Sequence, residues 1–341
     1  MSHSTPALDG LNSLGRRRPS VPPSDPPSRP TDEVSAVAQY ATPVWFARLE
    51  LHHDERVELR DLASDVRARL TDAIAIATKL PPRVRRFLAQ VQEKEIAVAV
   101  ISGLPLDPHL PATPTCAQSA EVAGPDEDIL HLLCASQLGE VFGWAGQKTG
   151  RIVHDVCPSS RANARRPELH TEDVFSPVRA DYVSLFCLRN PDAVPTMVSR
   201  VDALLGERTL AEGLAQKRFR FYANDAHLPV PDLDSTFRDR PWSVGPVLFG
   251  PPWRRYLRFD RGLMSAADPG DVEAERLIER AEAQLTASIE PIILSPGDMV
   301  FLDNDQVVHG RTSFAPRADG RAGWLKRINV RGAHPHRRSN H

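Results

Sequence analysis

The sequence predicts a β core made of two sheets, with helices packed against the outside. Helical periodicity is concentrated before Phe142, whereas short apolar segments separated by proline and glycine dominate the remainder. The composition, 41% hydrophobic and 25% charged, is typical of a chain that buries a packed core. With 341 residues, the chain is long enough for one large domain or two small ones.

Both ends of the chain differ in composition from the rest. Residues 1–38 are rich in proline, serine and arginine and offer few apolar groups to bury, which predicts a disordered tail. Residues 334–341 (HPHRRSNH) are predicted to form a flexible basic tail. Between them, residues 39–333 are predicted to fold as a single domain.

Four helices are predicted in the folded part. Apolar residues recur every three or four positions over residues 54–78, and Pro81-Pro82 end that helix. A second helix is expected from Arg83 to Glu95. Acidic residues after Pro125 are typical of a helix start, and residues 271–289 predict a further helix.

Short runs rich in β-branched and aromatic residues predict the strands. The apolar run from Ile96 to Ile101, which Gly103 ends, predicts a buried strand. The long polar segment 225–239, which prolines interrupt, is expected to be either a mobile lid or an ordinary surface loop. The remaining strands are predicted at 151–156, 181–188, 195–201, 218–223, 245–249, 255–259, 298–302, 306–309 and 324–331.

Charge and cysteine content exclude several functional classes. A formal net charge of −2 and a pI near 6.6 argue against a nucleic-acid or anionic-membrane partner. The sequence has neither a run of 18 apolar residues nor an apolar N-terminal core typical of a signal peptide. The four cysteines, without CxxC spacing, fit reduced thiols, and a cytoplasmic protein is expected. They are Cys116, Cys134, Cys157 and Cys187.

The strongest functional signal is the pair His170 and Glu172, read together with the distant His309. Residues two apart in an extended segment point to the same side, so His170 and Glu172 can face one ion. Two imidazoles and one carboxylate hold Fe(II) in oxygenases and leave coordination positions open. The pair His154-Asp155 is a rival set of ligands. For the other histidines, a surface or hydrogen-bonded core position is the simpler interpretation.

Two segments resemble a known family. The string LHTEDVFSPVRADYVSLFCLRN (169–190) and the string SPGDMVFLDNDQVVHGRTSFAPRADGRAGWLKR (295–327) resemble the clavaminate-synthase-like branch of the Fe(II)/2-oxoglutarate oxygenases. That branch includes the asparagine and arginine β-hydroxylases of peptide-antibiotic pathways. Weaker similarity at 101–105 and 146–158 extends the resemblance over roughly residues 95–331.

The resemblance implies a fold, a metal and two cosubstrates. The family fold is a distorted jelly roll, a double-stranded β-helix with outer helices. His170, Glu172 and His309 match the three iron ligands of the family. Fe(II) would be the metal, and 2-oxoglutarate and O₂ would be the cosubstrates.

A cation is needed for the far carboxylate of 2-oxoglutarate, because a guanidinium binds a carboxylate with two parallel hydrogen bonds. Strand alternation puts Arg327 on a polar face, and the resemblance favours this face as the pocket wall. The resemblance also implies a contact from Thr196, which could equally be an ordinary strand residue. Where the family has a further arginine, this chain has Gly323. Either Arg321 substitutes for it, or Arg327 holds the carboxylate alone and cosubstrate binding is weaker.

The resemblance implies hydroxylation at Cβ of a free α-amino acid. Gln147 and Glu172 match the family residues that bind the amino group. Asp260 matches one of two acids that bind a cationic side chain, and Gly262 stands where the second acid would be. Asp260 could instead form a structural salt bridge with Arg258 or Arg261. A polar or cationic substrate is therefore expected, with a carrier-bound amino acid or peptide, or a non-catalytic binding protein, as alternatives.

Overall fold

The computed structural model describes residues 45–67, 77–114, 125–147, 150–158, 168–228, 239–311, 314–315 and 317–332. All of them lie in one compact unit, Thr42–His341. The predicted tails at 1–38 and 334–341 lie outside the described residues, as does most of the predicted lid. No helix in the described part of the chain is both long and apolar enough to span a bilayer.

Five α-helices are present in the described residues, and the four predicted ones are among them. Pro82 begins the second, where its missing N–H leaves no hydrogen bond unmade. The predicted helix over 54–78 is described as far as Arg67. The short fourth helix was not predicted from the sequence. The helices are α1 (His53–Arg67), α2 (Pro82–Glu93), α3 (Pro125–Ala135), α4 (Arg208–Leu214) and α5 (Val272–Ala287), and 3-10 turns lie at Ala77–Lys79, Val201–Leu204, Asp225–His227 and Arg261–Leu263.

Fifteen strands are present in the described residues, and most coincide with predicted ones to within two or three residues. They are β1 (Phe46–Glu50), β2 (Val98–Ser102), β3 (Glu140–Phe142), β4 (His154–Val156), β5 (Tyr182–Arg189), β6 (Thr196–Arg200), β7 (Phe219–Tyr222), β8 (Trp242–Gly245), β9 (Leu248–Phe249), β10 (Tyr256–Leu257), β11 (Met264–Ala266), β12 (Glu290–Ile292), β13 (Met299–Asp303), β14 (Val307–Arg311) and β15 (Trp324–Arg331).

Two predicted strands differ from the observed ones. The segment 151–156 is extended only from His154 onward. The predicted strand 245–249 is divided into the end of β8 and the whole of β9. Pro246 lies between them, and proline interrupts a ladder because it has no N–H to donate.

Two sheets position the site. The larger one has seven strands in the order β1-β2-β13-β5-β15-β3, with β4 also paired to β15. Only β1 and β2 are parallel among its described pairs. The second sheet has the order β12-β6-β14 and is antiparallel. Strands β11-β7-β8 and β10-β9 form two smaller sheets.

The apolar core has three parts. One cluster joins the two site-forming sheets, with Val100 and Leu185 on one side and Val198 and Val307 on the other. A second cluster packs α1, α2 and α3 on the seven-stranded sheet, and a third packs α4 and α5 on the smaller sheets. The predicted two-sheet core with outer helices is confirmed at this level. Cys134, Cys157 and Cys187 are buried free thiols, whereas Cys116 lies outside the described residues.

Candidate metal centre and its cavities

A single antiparallel bridge joins the segment of His170 to strand β14. The His170 N–H donates to the His309 carbonyl (2.9 Å), and the His309 N–H donates to the His170 carbonyl (2.8 Å). Side chains of directly opposed residues in such a pair extend to the same side. The two imidazoles are therefore neighbours, with ring centroids 4.8 Å apart.

Glu172 completes the group where the chain turns after His170. Its Oε1 lies 3.7 Å from His170 Nε2 and 3.5 Å from His309 Nε2. The candidate ligand atoms of the three residues lie within 4.8 Å of one another, and no other such group of three occurs among the described residues. The structure thus brings together the triad expected from the sequence.

Asn304 ties the backbone of Glu172 to the β13–β14 turn. Its Oδ1 accepts a hydrogen bond from the Glu172 N–H (2.7 Å). Its Nδ2 donates to the carbonyls of Glu172 (3.2 Å) and Ala180 (2.9 Å). Asn304 is completely buried, so no water replaces these bonds at its surface. The side chain fixes Glu172 relative to the strand that carries His309.

Replacing Asn304 with alanine is expected to weaken metal binding by about 10- to 100-fold, the usual cost of removing a partner that orients a ligand. Titration with Fe(II) under nitrogen measures this loss. Asn190→Ala is the matched control, because Asn190 makes three equivalent backbone bonds, to Val194 and Leu294, away from the triad. Equal losses in the two variants would contradict a specific role for Asn304.

The charge of Arg327 governs the electrostatics of the triad. Its Nη1 donates to both carboxylate oxygens of Glu172, at 3.0 and 3.1 Å. Burial raises the pKa of Glu172, but the Arg327 charge and hydrogen bonds from both imidazoles outweigh it and hold that pKa well below its usual range. Burial lowers the pKa of His170, yet the hydrogen bond and charge of Glu172 raise it to about 9. Burial lowers the pKa of His309.

These side chains fit a divalent first-row metal. His170 Nδ1 donates to the Glu168 carbonyl (2.9 Å), so Nε2, which faces Glu172, is the nitrogen from which a metal would displace a proton. The donor set is therefore two imidazole nitrogens and an ionised carboxylate, beside an open cavity. That set, with open positions, is typical of non-haem Fe(II) oxygenases.

The cavity beside the triad, called here the metal-side cavity, has a volume of about 230 Å³. Its walls come from both site-forming sheets. This volume is below the roughly 300–1,000 Å³ of pockets for drug-sized ligands, so the cavity suits a small molecule. Besides the triad, its walls are formed by Val156, Leu185, Thr196, Gly310, Arg311, Leu325 and Arg327.

Thr196 and Arg327 line the metal-side cavity, as expected for cosubstrate contacts, but Arg321 does not. Arg321 is exposed, and its N–H donates to Asp319 Oδ1 (2.8 Å) in a turn. The expectation for Arg321 assumed a regular strand before Trp324, and β15 begins only at that residue. The structure therefore does not support Arg321 as the substitute for the arginine missing at Gly323.

Gln147 and His154 contact Nη2, the second terminal nitrogen of the Arg327 guanidinium. Nη2 lies 3.3 Å from Gln147 Oε1 and 3.1 Å from His154 Nδ1. Asp155 faces away and accepts from Trp324 Nε1 (2.8 Å). Successive residues of a strand face opposite sides, so His154 and Asp155 do not form the rival ligand pair.

Asp260 is the second residue opposed to His170 by an antiparallel bridge. Its carboxylate accepts from the Gly262 N–H (2.9 Å), and burial raises the pKa of Asp260 above its usual value. The two arginines considered as structural partners are engaged elsewhere. Arg258 donates to Ser243 Oγ (2.6 Å), and Arg261 pairs with Glu282 (3.3 Å).

Asp260 also lines a larger cavity of about 620 Å³, called here the acidic cavity. Glu168 and Glu282 contribute two further carboxylates, of which Glu282 is paired with the wall residue Arg261, and Leu169 and Leu285 contribute apolar surface. This combination suits a ligand with an aliphatic stem and a positive charge. The wall residues Glu168 and Asp260 connect this cavity to the segment that carries His170.

Sequence reasoning missed two residues of the site. Arg311 lies two positions after His309 on β14, so strand alternation alone could have placed it on the same face. Asn304 gave no comparable signal, because its contact with Glu172 joins residues 132 positions apart.

Comparisons with known proteins agree with this geometry. Residues 131–329, which include the triad, match the model of the taurine catabolism dioxygenase TauD, TfdA family. The chain is 35% identical to an enduracididine beta-hydroxylase of Streptomyces hygroscopicus, over 83% of this chain and 94% of that protein. It is 33% identical to an L-ornithine/L-arginine 3-hydroxylase of Catenulispora acidiphila, with the same coverage of both chains, 83% and 94%.

More distant similarities extend the same pattern. Clavaminate synthase 2 of Streptomyces clavuligerus is 29% identical over 79% of this chain and 85% of that protein. The crystal structure of the non-heme iron oxygenase OrfP in complex with Fe and alpha-ketoglutaric acid superposes with a TM-score of 0.72 at 28% identity, covering 85% of this chain and 95% of that one. The predicted relationship to clavaminate-synthase-like oxygenases is confirmed, and this chain belongs to the TauD/TfdA family of dioxygenases.

Proposed function

We propose that this protein is an Fe(II)/2-oxoglutarate-dependent oxygenase that hydroxylates a free polar or cationic L-amino acid at Cβ, with succinate and CO₂ as coproducts. The observation that carries the proposal is the His170–Glu172–His309 group, which lies beside a small cavity with an arginine in its wall. Two of the relatives named above are an enduracididine beta-hydroxylase and an L-ornithine/L-arginine 3-hydroxylase, which supports a free amino acid as the substrate.

We also propose that the two site-forming sheets make a distorted double-stranded β-helix. Two features support it. The seven-stranded and three-stranded sheets share one apolar core, and the metal-side cavity opens between them. Facing sheets of this kind present side chains from both walls to a single internal site.

Each site residue has a proposed role. His170, Glu172 and His309 would hold the iron, which would couple the oxidative decarboxylation of 2-oxoglutarate to the hydroxylation of a C–H bond. Thr196 and Arg327 line the cavity in which the cosubstrate carboxylate is bound. Arg327 contacts both Glu172 and Gln147, and Gln147 orients the substrate amino group.

Asp260 supports a cationic substrate in particular. It lies beside His170 and in the wall of the acidic cavity, so a substrate there could place its side-chain charge near a carboxylate. A charge-assisted hydrogen bond to Asp260 would fix the distance from the charged end to the carbon that is hydroxylated.

The proposed activity is tested by incubating the purified protein with Fe(II), 2-oxoglutarate, O₂ and single amino acids. Succinate formation together with a product heavier by one oxygen atom is expected with at least one free cationic or polar amino acid. Product formed only from carrier-bound or peptide substrates would favour the alternative of a larger target. A folded protein that takes up no Fe(II) would indicate a non-catalytic binding protein.

Replacing Asp260 with asparagine is expected to lower kcat/KM for a cationic amino acid by about 10- to 100-fold, the value of one charge-assisted hydrogen bond. A neutral substrate of the same length, such as citrulline compared with arginine, should lose far less. Asp268→Asn is the matched control, since exposed Asp268 accepts from Gly270 just as Asp260 accepts from Gly262. Equal losses for charged and neutral substrates would contradict the role of Asp260.

A further inference from the structure

We propose that Arg311, together with Thr196, binds the distal carboxylate of the cosubstrate and supplies a guanidinium that position 323, a glycine, cannot. This inference rests on the proposed function and identifies a further binding residue for it. It starts from the position of Arg311 on β14, two residues after the ligand His309, so that both side chains face the metal-side cavity.

The pairing of β6 with β14 puts a hydroxyl opposite this guanidinium. Arg311 and Thr196 are direct partners in the antiparallel register, and both line the cavity. Directly opposed side chains on one face have Cβ atoms about 4.5–5.5 Å apart, close enough for both to contact one ligand group. A guanidinium with five donors and a hydroxyl with one form a suitable site for a carboxylate.

Gly323 leaves space for the ring of Phe314, which contacts Arg311. A Cβ atom at position 323 would overlap the ring of Phe314, so the buried ring occupies the space that a side chain there would take. The Arg311 guanidinium lies over that ring, 4.0 Å from its centroid. Phe314 thus supports Arg311 by a cation–π contact from one side.

The charge around the cavity favours an anionic ligand. Among its described wall residues, Glu172 is the one carboxylate, and Arg327 already neutralises it through two hydrogen bonds. Arg311 adds a positive charge to the same wall. Arg327 also contacts Gln147 and His154, so its guanidinium is held at the triad. Arg311 therefore provides the cation for the end of the ligand that does not bind the metal.

The test compares two keto acids that differ in one group. 2-Oxoglutarate carries the distal carboxylate, and 2-oxopentanoate has the same chain length without it. Both are titrated under nitrogen into the Fe(II)-loaded protein, and dissociation constants are measured for the wild type and for Arg311→Met. The expected result is a loss of about 10- to 100-fold for 2-oxoglutarate and little change for 2-oxopentanoate. Fe(II) affinity should stay unchanged.

Two further variants make the result specific. Arg321→Met removes an exposed arginine outside the cavity and should bind 2-oxoglutarate like the wild type. Arg311→Lys keeps the charge without the planar fork and should fall between the wild type and Arg311→Met. An unchanged 2-oxoglutarate affinity in Arg311→Met, or equal losses for both keto acids, would overturn the inference. If the wild type itself fails to bind 2-oxoglutarate, the proposed function fails together with it.

Discussion

Replacing His309 with alanine is expected to remove tight Fe(II) binding and with it the hydroxylase activity. Loss of a residue that merely orients a ligand costs about 10- to 100-fold in metal affinity, so loss of a ligand should cost more than 100-fold. Two of the three donors, His170 and Glu172, would remain on one segment of the chain, with no donor on the opposing strand β14. Anaerobic Fe(II) titration and product formation measure both losses.

Two control variants show whether the loss of Fe(II) binding is specific to His309. One tests a histidine away from the site, and the other tests His154, the rival ligand. His109→Ala removes an exposed imidazole in a loop and should keep full metal affinity. His154→Gln should also keep the metal, because His154 contacts Arg327 and the Arg151 carbonyl and is not part of the triad. Metal loss in His154→Gln with retention in His309→Ala would reject the triad.

Replacing Arg179 with methionine is expected to lower the free energy of unfolding by about 3–5 kcal/mol, the usual cost of leaving one charge of a buried pair unpaired. Arg179 and Asp305 form an ion pair in which each side chain is only 4% exposed. Arg179 also donates to Thr171 Oγ1 and to the Leu257 carbonyl, both at 3.2 Å. The guanidinium thus joins Thr171, which lies between His170 and Glu172, to the β13–β14 turn.

Urea unfolding measures the loss of unfolding free energy, and two further variants show whether it comes from the buried ion pair. The double variant Arg179→Met/Asp305→Leu should lose less than the sum of the two single variants, because neither charge remains unpaired. Arg208→Met breaks an exposed helix pair with Glu212 and should cause no measurable change. If Arg179→Met had as little effect as Arg208→Met, the buried pair would not stabilise the site.

Prediction from the sequence succeeded where the signal is local. The strand at Trp324–Arg331 and the helix starting near Pro125 were predicted because alternation, helical periodicity and acidic first turns act over a few neighbouring residues. The expectation for Arg321 extended strand alternation past the start of β15 into a turn, where alternation does not apply. The structure therefore places Arg321 outside the metal-side cavity.

The sequence by itself determined the family and predicted the triad, because His170, Glu172 and His309 lie in two strings that resemble known oxygenases. Only the tertiary structure decided which other side chains join them. The contact of Asn304 with Glu172 and the pairing of Arg311 with Thr196 depend on how distant segments are aligned and packed. Such contacts arise from register and close packing between remote parts of the chain, which no local spacing of residues specifies.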